Sequence, residues 1–249
     1  MLDEQTYEKL VAMQLHGMAA AWKDYLADKG SDQLTFGDRF GMMVDREWTL
    51  RQERRLRNRL ATAKLREAAC IEDVDYRHPR KLDRSVMQKL ATCQWVKEHE
   101  NVIITGATGL GKTWLACALA NKACRDGSTA MYLRVPRLMH VLAVARADGT
   151  YVRELAKLAK VHVLILDDLG LSPIGDDERH DLLEVLEDRY GVRSTIVTSQ
   201  MPVKKWHEAI GDPTIADAIM ERIVYNAHRI DLAGTTMRDT KQKKADTGK

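Results

Sequence analysis

Eight consecutive residues, Gly106 to Thr113, fit the pattern G-x-x-x-x-G-K-[ST] of a phosphate-binding loop, or P-loop. The apolar run 102–104 directly before this loop predicts a strand, and the run from Trp114 to Ala123 predicts a helix. Glycines let backbone N–H groups close around phosphate oxygens, and the helix N-terminus favours negative charge. The sequence therefore predicts a site for a nucleoside triphosphate. The residues expected to line it are Gly106, Ala107, Thr108, Gly109, Leu110, Gly111, Lys112, Thr113 and Trp114.

The chemistry expected at this site is that of ATP and Mg²⁺. Lys112 is expected to reach the β- and γ-phosphates, and the hydroxyl of Thr113 is expected to bind the metal. A second apolar run, 161–166, ends in Asp167 and Asp168, as a Walker B motif does. Asp167 is expected to hold Mg²⁺ with Thr113, and Asp168 to orient or activate the attacking water. The alternative is a pair of acids in a turn at the end of a strand.

Two further candidates lie nearer the C-terminus. The run 194–198 predicts a strand that ends near Ser199, where a polar residue could sit between Mg²⁺ and the attacking water. Arg222 follows in a predicted helix and could reach the γ-phosphate held by a neighbouring subunit. The alternative for Arg222 is a surface ion pair with Glu221 or Asp217. The predicted catalytic set is therefore Lys112, Asp168, Ser199 and Arg222.

Periodicity divides the chain into four segments. Residues 1–67 predict a small all-helical N-terminal domain that serves DNA, partner or subunit contacts, and 68–85 predict a linker. Residues 86–234 alternate helices with short apolar strands, which predicts an α/β fold with a parallel sheet between helices. Residues 235–249 predict a basic, flexible tail. Because only 233–249 follow the last predicted strand, no C-terminal helical lid is expected.

Charge distribution favours a polyanionic partner, with nucleic acid as the leading candidate. The net charge of +3 is uninformative, but arginines are dense between 51 and 59 and lysines follow residue 240. A solvated helix face is the alternative for the arginine-rich segment. Its candidate DNA contacts are Arg51, Arg54, Arg55, Arg57 and Arg59.

Bulk properties exclude several classes of protein. Hydrophobic residues make up 45% of the 249, yet no apolar run approaches the roughly 20 residues of a membrane span. The N-terminus has no visible secretory signal, and the four cysteines include no C-x-x-C pair. We therefore expect a cytoplasmic protein with reduced core thiols and no membrane contact.

With these residues in place, the chain resembles the IstB/DnaC branch of the AAA+ ATPases, and within it the IstB-like family. It departs mildly from the family pattern, with Glu221 where Asp is usual and Thr236 where Ser is more frequent. The segments that carry the resemblance are the P-loop, 166–170, 189–190, 198–200, Trp206, 221–222, 227–230 and 234–238.

The resemblance implies an AAA+ ATPase that oligomerises on duplex target DNA when ATP is bound and then recruits and stimulates a transposase. The predicted helix 136–149 matches the position of a DNA-contacting insertion in initiator-type relatives, which makes Arg134, Arg137 and Arg146 candidate phosphate contacts. Arg238 could replace the arginine of the missing lid. Without a lid, closure of the site depends on a neighbouring subunit, so ATPase activity should be weak in the monomer and rise on assembly.

Two alternatives remain open. A replicative helicase loader of the DnaC type would grip a helicase through its N-terminal helices and prefer single-stranded DNA. A small-molecule kinase would need a phosphoacceptor site and an arginine-rich mobile lid, and neither is visible in the sequence.

Overall fold

The structure is a computed structural model that describes residues 2–27 and 34–237, and the chain divides into two compact units, Met1–Asn58 and Arg59–Lys249. Arg238 and most of the predicted tail 235–249 lie outside the described residues. The predicted linker 68–85 lies within the second unit, where it contributes the buried residues Ala69, Val74 and Arg80.

The first unit is helical, as predicted. Helix α1 spans Leu2–Ala12, α2 spans His16–Ala27, and α3 begins at Phe36 and continues to Ala63 in the second unit. A capping box starts α3, because the Asp38 amide donates to the Thr35 hydroxyl at 3.2 Å and the Thr35 amide donates to the Asp38 carboxylate at 3.3 Å. These bonds satisfy donors that the first turn of a helix leaves unpaired.

The second unit is built on a five-stranded parallel sheet in the order β2-β3-β4-β1-β5. Strands β1 and β4 pair in the register Val102 with Ile196, and β3 and β4 in the register Leu164 with Thr195. Since all strands are parallel, their carboxyl ends share one edge of the sheet. The strands are β1 Asn101–Thr105, β2 Ala130–Arg134, β3 Val163–Leu169, β4 Ser194–Ser199 and β5 Ala227–Asp231.

Helices connect the strands. The chain before β1 forms two helices rather than one, because Cys93 takes a left-handed conformation between them, at φ 58°. The helices are α4 Arg84–Ala91, α5 Gln94–Lys97, α6 Lys112–Arg125, α7 Val135–Ala147, α8 Tyr151–Lys160, α9 Asp176–Glu187, α10 Trp206–Ile210 and α11 Pro213–Val224. A short 3₁₀ turn, Val203–Lys205, precedes α10, and another spans Ile71–Asp73.

The core lies between the sheet and helices α7 to α11. Ile103, Leu164 and Val197 of the sheet pack in one apolar cluster with Leu142 of α7 and Leu182 of α9. A smaller cluster joins α6 to the chain that follows α3, through Ala69, Cys117 and Ala118. The first cluster fixes the sheet and the second fixes α6 on it, which together determine where the loops at the carboxyl edge can lie. No helix in the described ranges is both long and apolar enough to cross a membrane.

Candidate nucleotide site

The P-loop connects β1 to α6 at the carboxyl edge of the sheet. Gly106, Gly109 and Gly111 have φ values of 144°, 88° and 84°, a region that residues with a side chain adopt only under strain. Space is restricted as well, since a Cβ on Gly109 would lie 2.2 Å from the Thr236 hydroxyl, and one on Gly106 would lie 2.5 Å from the Leu232 carbonyl. The loop therefore needs glycine both for its conformation and for close contact with the chain after β5.

Lys112 and Thr113 open α6 and face a cavity of about 650 Å³. The Lys112 ammonium is largely buried and donates to the Ala107 carbonyl at 3.0 Å, across the base of the loop. A buried ammonium at the N-terminus of a helix fits a phosphate chain, since it would neutralise charge that the helix amides can only hydrogen-bond. Trp114 and Thr108 also line the cavity.

Asp167 is completely buried at the end of β3 and accepts hydrogen bonds from three hydroxyl groups. The Thr113 hydroxyl lies 2.9 and 3.1 Å from its two carboxylate oxygens, the Tyr132 hydroxyl lies 2.6 Å from one of them, and the Thr198 hydroxyl donates to the other. The two predicted metal ligands, Thr113 and Asp167, are thus in direct contact. This pair fits Mg²⁺, which takes hard oxygen ligands and usually needs only one or two carboxylates beside phosphate and water.

The described residues contain no cluster of three or more His, Cys, Asp or Glu side chains that could hold a metal by themselves.

Asp168 points toward the cavity from a left-handed backbone conformation, at φ 64°. An irregularity in the pairing of β3 with β4 follows Leu166, so consecutive acids leave the strand in different directions. The Asp168 carboxylate accepts from Arg134 at 3.0 Å, and its amide donates to the Thr198 hydroxyl at 3.1 Å. Arg134, predicted as a DNA contact, thus bonds to the candidate base.

At the end of β4, the predicted Ser199 does not line the cavity. Ser199 is fully buried and its hydroxyl donates to the Leu169 carbonyl at 2.7 Å. Its neighbour Thr198 contacts both acids of β3, and Gln200 lines the cavity. Successive side chains of a strand alternate between its faces, and the sequence offers no signal of which face meets β3 at this point.

A second group of residues that the sequence did not indicate lies on the other side of the P-loop. Arg80 is almost completely buried and donates to the Leu110 carbonyl at 3.0 Å and the Asp75 carbonyl at 3.1 Å. The Met237 amide donates to the Gly109 carbonyl at 2.9 Å. The chain after β5 and the predicted linker thus both hold the P-loop. Neither has a local sequence pattern, although an arginine directly after Pro79 in a supposed linker is a weak signal.

Arg222 lies on α11 away from the P-loop of its own chain. Its carbonyl accepts from the side chain of Asn101, the first residue of β1, whereas the P-loop follows the last residue of β1, Thr105. The guanidinium forms an ion pair with Glu187 and donates to the Ala218 carbonyl at 2.9 Å. Asp217 instead lies 3.3 Å from His207, and Glu221 is a more distant partner of Arg222 at 3.9 Å. The expected surface ion pair therefore exists, but with a different principal acid.

The other arginines predicted to contact DNA fall into two groups. Three are engaged within the chain: Arg51 donates to Glu47 at 2.6 Å, Arg59 to the Cys124 carbonyl at 2.9 Å, and Arg146 pairs with Asp181. The remaining four are exposed, namely Arg54, Arg55 and Arg57 on α3 and Arg137 on α7.

The chain matches the model of the family described as IstB-like ATP binding protein over residues 8–245. It is 52% identical over 245 residues to a protein of Sinorhizobium fredii named as an insertion sequence ATP-binding protein, covering 98% of this chain and all of that one.

Similar solved structures share the fold of the second unit. The structure of DnaI has a TM-score of 0.56 and 26% identity, and the match covers 67% of this chain and 92% of that one. The DnaC helicase loader has a TM-score of 0.54 and 20% identity, covering 66% and 97%. The expected P-loop AAA+ fold is therefore confirmed. With its P-loop and Walker B acids in contact and its match to the family model along nearly its whole length, the chain belongs to the family of IstB-like ATP-binding proteins.

Proposed function

We propose that this protein is an ATPase that helps an insertion sequence to transpose, by assembling on duplex target DNA when ATP is bound and recruiting the transposase. The observation that carries the proposal is the contact of Thr113 with the buried Asp167 beneath the P-loop. Family membership supports ATP binding and the insertion-sequence context. Hydrolysis, DNA binding, assembly and the transposase partner are the proposed steps.

In this proposal Lys112 leaves the Ala107 carbonyl and binds the β- and γ-phosphates of ATP, beside the amides of the P-loop. Thr113 and Asp167 would hold Mg²⁺, which would neutralise charge on the phosphates. Asp168 accepts a proton from the water whose oxygen attacks the γ-phosphorus, and the bond from that phosphorus to the β-phosphate oxygen breaks. This assignment needs Arg134 to release Asp168, because the carboxylate must be free to reach the attacking water.

The role first given to Ser199 is better filled by its two neighbours. Thr198 contacts both acids and can fix their relative position, and Gln200 lines the cavity and can reach the γ-phosphate side. Ser199 is bonded to the Leu169 carbonyl and serves to hold the strand ends together.

We further propose that Arg222 acts on the nucleotide of a neighbouring subunit. Its position near the amino end of β1 keeps it from its own P-loop, and its ion pair with Glu187 leaves the guanidinium at the surface. Assembly would exchange Glu187 for a γ-phosphate. In this proposal the neighbour also closes the site, so activity in the monomer should be low.

The proposed DNA contacts are the four exposed arginines Arg54, Arg55, Arg57 and Arg137. Arg51, Arg59, Arg134 and Arg146 would each have to leave a partner within the chain first. Since phosphate contacts release counterions, binding should weaken steeply as salt increases.

The first experiment measures DNA binding together with the size of the complex. Wild type and Lys112→Ala are compared with ATP and Mg²⁺, with ADP and without nucleotide, on duplex and single-stranded DNA. Large assemblies on duplex that require ATP and Lys112 would support the proposal. A preference for single strands, or no DNA binding, would instead favour a helicase loader of the DnaC type.

A mixing experiment tests the neighbour's arginine. Arg222→Ala and Asp167→Asn are each expected to hydrolyse ATP poorly, and their mixture should regain activity because some interfaces combine an intact Asp167 with an intact Arg222. A mixture no more active than its components would contradict a role for Arg222 across the interface.

A further inference from the structure

Arg66 lies three residues beyond the end of α3, in a stretch of chain that is firmly packed. Ala63 before it and Ala69 after it are both completely buried, and Leu65 packs against the apolar cluster that joins Ala69 to α6. The Arg66 side chain itself is half exposed and lines the nucleotide cavity. The packing on both sides therefore fixes the backbone position from which the Arg66 side chain extends.

Through Tyr132, the Arg66 guanidinium reaches the buried metal-binding acid. It lies beside the Tyr132 hydroxyl, which donates to the Asp167 carboxylate at 2.6 Å. The guanidinium lies 3.9 Å from the same carboxylate oxygen. Burial and the hydrogen bond to Asp167 raise the pKa of Tyr132, so its hydroxyl stays protonated and continues to donate. An arginine of the same chain thus opposes part of the negative charge that would hold Mg²⁺.

The same stretch of chain is tied to α3 and to α6. Arg59 on α3 donates to the Cys124 carbonyl of α6 at 2.9 Å, and the Cys117 thiol of α6 lies beside the backbone of Arg66 and Glu67. Helix α6 begins with the phosphate-binding Lys112. Because packed interiors shift between discrete arrangements rather than deform smoothly, a displacement of the end of α3 must change the distance from Arg66 to Asp167.

We propose that Arg66 is a positioning residue that couples DNA on α3 to the nucleotide site. In the free protein it competes with Mg²⁺ for the charge of Asp167, partly through Tyr132. DNA bound to the exposed arginines of α3 moves the end of the helix and draws Arg66 away, which strengthens binding of ATP with Mg²⁺. By linkage, ATP with Mg²⁺ then strengthens DNA binding by the same factor. This inference rests on the proposed function, since it requires one chain to bind both ligands.

The test is calorimetric, and measures the affinity for ATP with Mg²⁺ in the presence and absence of duplex DNA, using a non-hydrolysable ATP analogue. In wild type, DNA should tighten binding about tenfold, within the usual range of coupling between sites. Arg66→Gln should bind the analogue several-fold more tightly than wild type without DNA, and DNA should then change its affinity less than about twofold. With EDTA in place of Mg²⁺, Arg66→Gln and wild type should bind alike, because the competition concerns the metal.

Three further variants sharpen the result. Arg153→Gln is the matched control, since Arg153 is also an exposed arginine with an acid at 3.9 Å but lies on α8; it should behave as wild type. Tyr132→Phe should lose most of the coupling, and Arg66→Lys should retain part of it.

The outcomes separate the two proposals. If DNA tightens binding of the ATP analogue equally in wild type and in Arg66→Gln, the role of Arg66 is overturned and the proposed function is left intact. Weaker binding by Arg66→Gln without DNA would also overturn it, since a purely structural residue gives that result. If DNA does not change the affinity of wild type for the ATP analogue, both the coupled assembly and the role of Arg66 are contradicted.

Discussion

Two buried carboxylates, Asp167 in the second unit and Glu47 in the first, lie in similar surroundings and are held by different donors. Each lies near an arginine, Arg66 at 3.9 Å and Arg51 at 2.6 Å. Asp167 accepts from three hydroxyls, whereas Glu47 accepts from the amide of Gly17 at 2.6 Å and that of Met18 at 3.2 Å.

The difference in donors distinguishes a binding site from a structural contact. Gly17 and Met18 lie in the first turn of α2, where amides lack partners within the helix, so Glu47 on α3 caps α2 and its charge favours that end of the helix dipole. These amides cannot turn away without unfolding the helix. The hydroxyls around Asp167 can rotate toward another acceptor, which leaves its oxygens available to a cation. A buried acid is therefore a candidate metal-binding site when the groups that donate hydrogen bonds to it can rotate away.

The largest expected effect is that of Asp167→Asn. The amide cannot supply the charge that holds Mg²⁺, so the rate of ATP hydrolysis should fall by about two to three orders of magnitude, comparable to losing one electrostatic contact to a transition state. Steady-state phosphate release measures this, with circular dichroism to check the fold. Hydrolysis within tenfold of wild type would show that Asp167 is structural, as Glu47 is.

The contact between α2 and α3 is tested next by glycine substitutions. A Cβ on Gly17 would lie 2.6 Å from the Cα of Glu47, whereas one on Gly41 of α3 meets nothing within 4 Å. Gly17→Ala should destabilise the first unit by about 1–3 kcal/mol through crowding. Gly41→Ala should stabilise it by about 0.5–1 kcal/mol, because alanine favours a helix. Amide hydrogen exchange in α2 reports both, and equal effects would refute the close approach.

Glu47→Gln tests the charge itself. Losing charge-assisted hydrogen bonds should cost about 1.5–3 kcal/mol and speed exchange at the amides of Gly17 and Met18, while basal ATP hydrolysis is unchanged. Burial tends to raise the pKa of Glu47, but the bonds from Arg51 and the two amides outweigh it and lower the pKa.

The lowered pKa of Glu47 gives this contact a defined pH dependence. Since the folded state favours the carboxylate, its contribution should be complete above the usual value of 4.5 and lost as pH falls through the lower folded-state pKa. Protection of the two amides should therefore decline in acid in wild type and not in Glu47→Gln. An identical decline in both would assign it to other groups.

The smallest expected effect separates the neighbours Thr198 and Ser199. Thr198→Val keeps the shape but removes the hydroxyl between the two acids, and should lower the hydrolysis rate about tenfold with little change in ATP affinity. Ser199→Ala removes a bond to the Leu169 carbonyl and should change the rate less. The reverse order would restore Ser199 as the residue that faces the nucleotide.

The sequence predicted the parts of the site that are local. Thr113 and the P-loop glycines belong to one strand-loop-helix unit, and Asp167 ends an apolar strand, so each is recognisable within a few residues. Tyr132 and Arg66 contact Asp167 from 35 and 101 positions away, and nothing near them in the chain marks that contact. The open question at β4 was of another kind, because alternation along a strand leaves its two faces equivalent until a neighbouring strand is known.

By itself the sequence determined the class of the protein. A P-loop requires backbone conformations that only a few residue types allow, so its residues are recognisable in the sequence. A buried strand must be apolar, so the acids that end it are recognisable as well. Only the tertiary structure decided which side chains complete the site. Strand order places β3 two strands from β1, with β4 between them, and the packing of α6 brings Thr113 onto Asp167. Such contacts depend on how segments that are distant in the sequence pack against one another. Periodicity along the chain does not specify that packing.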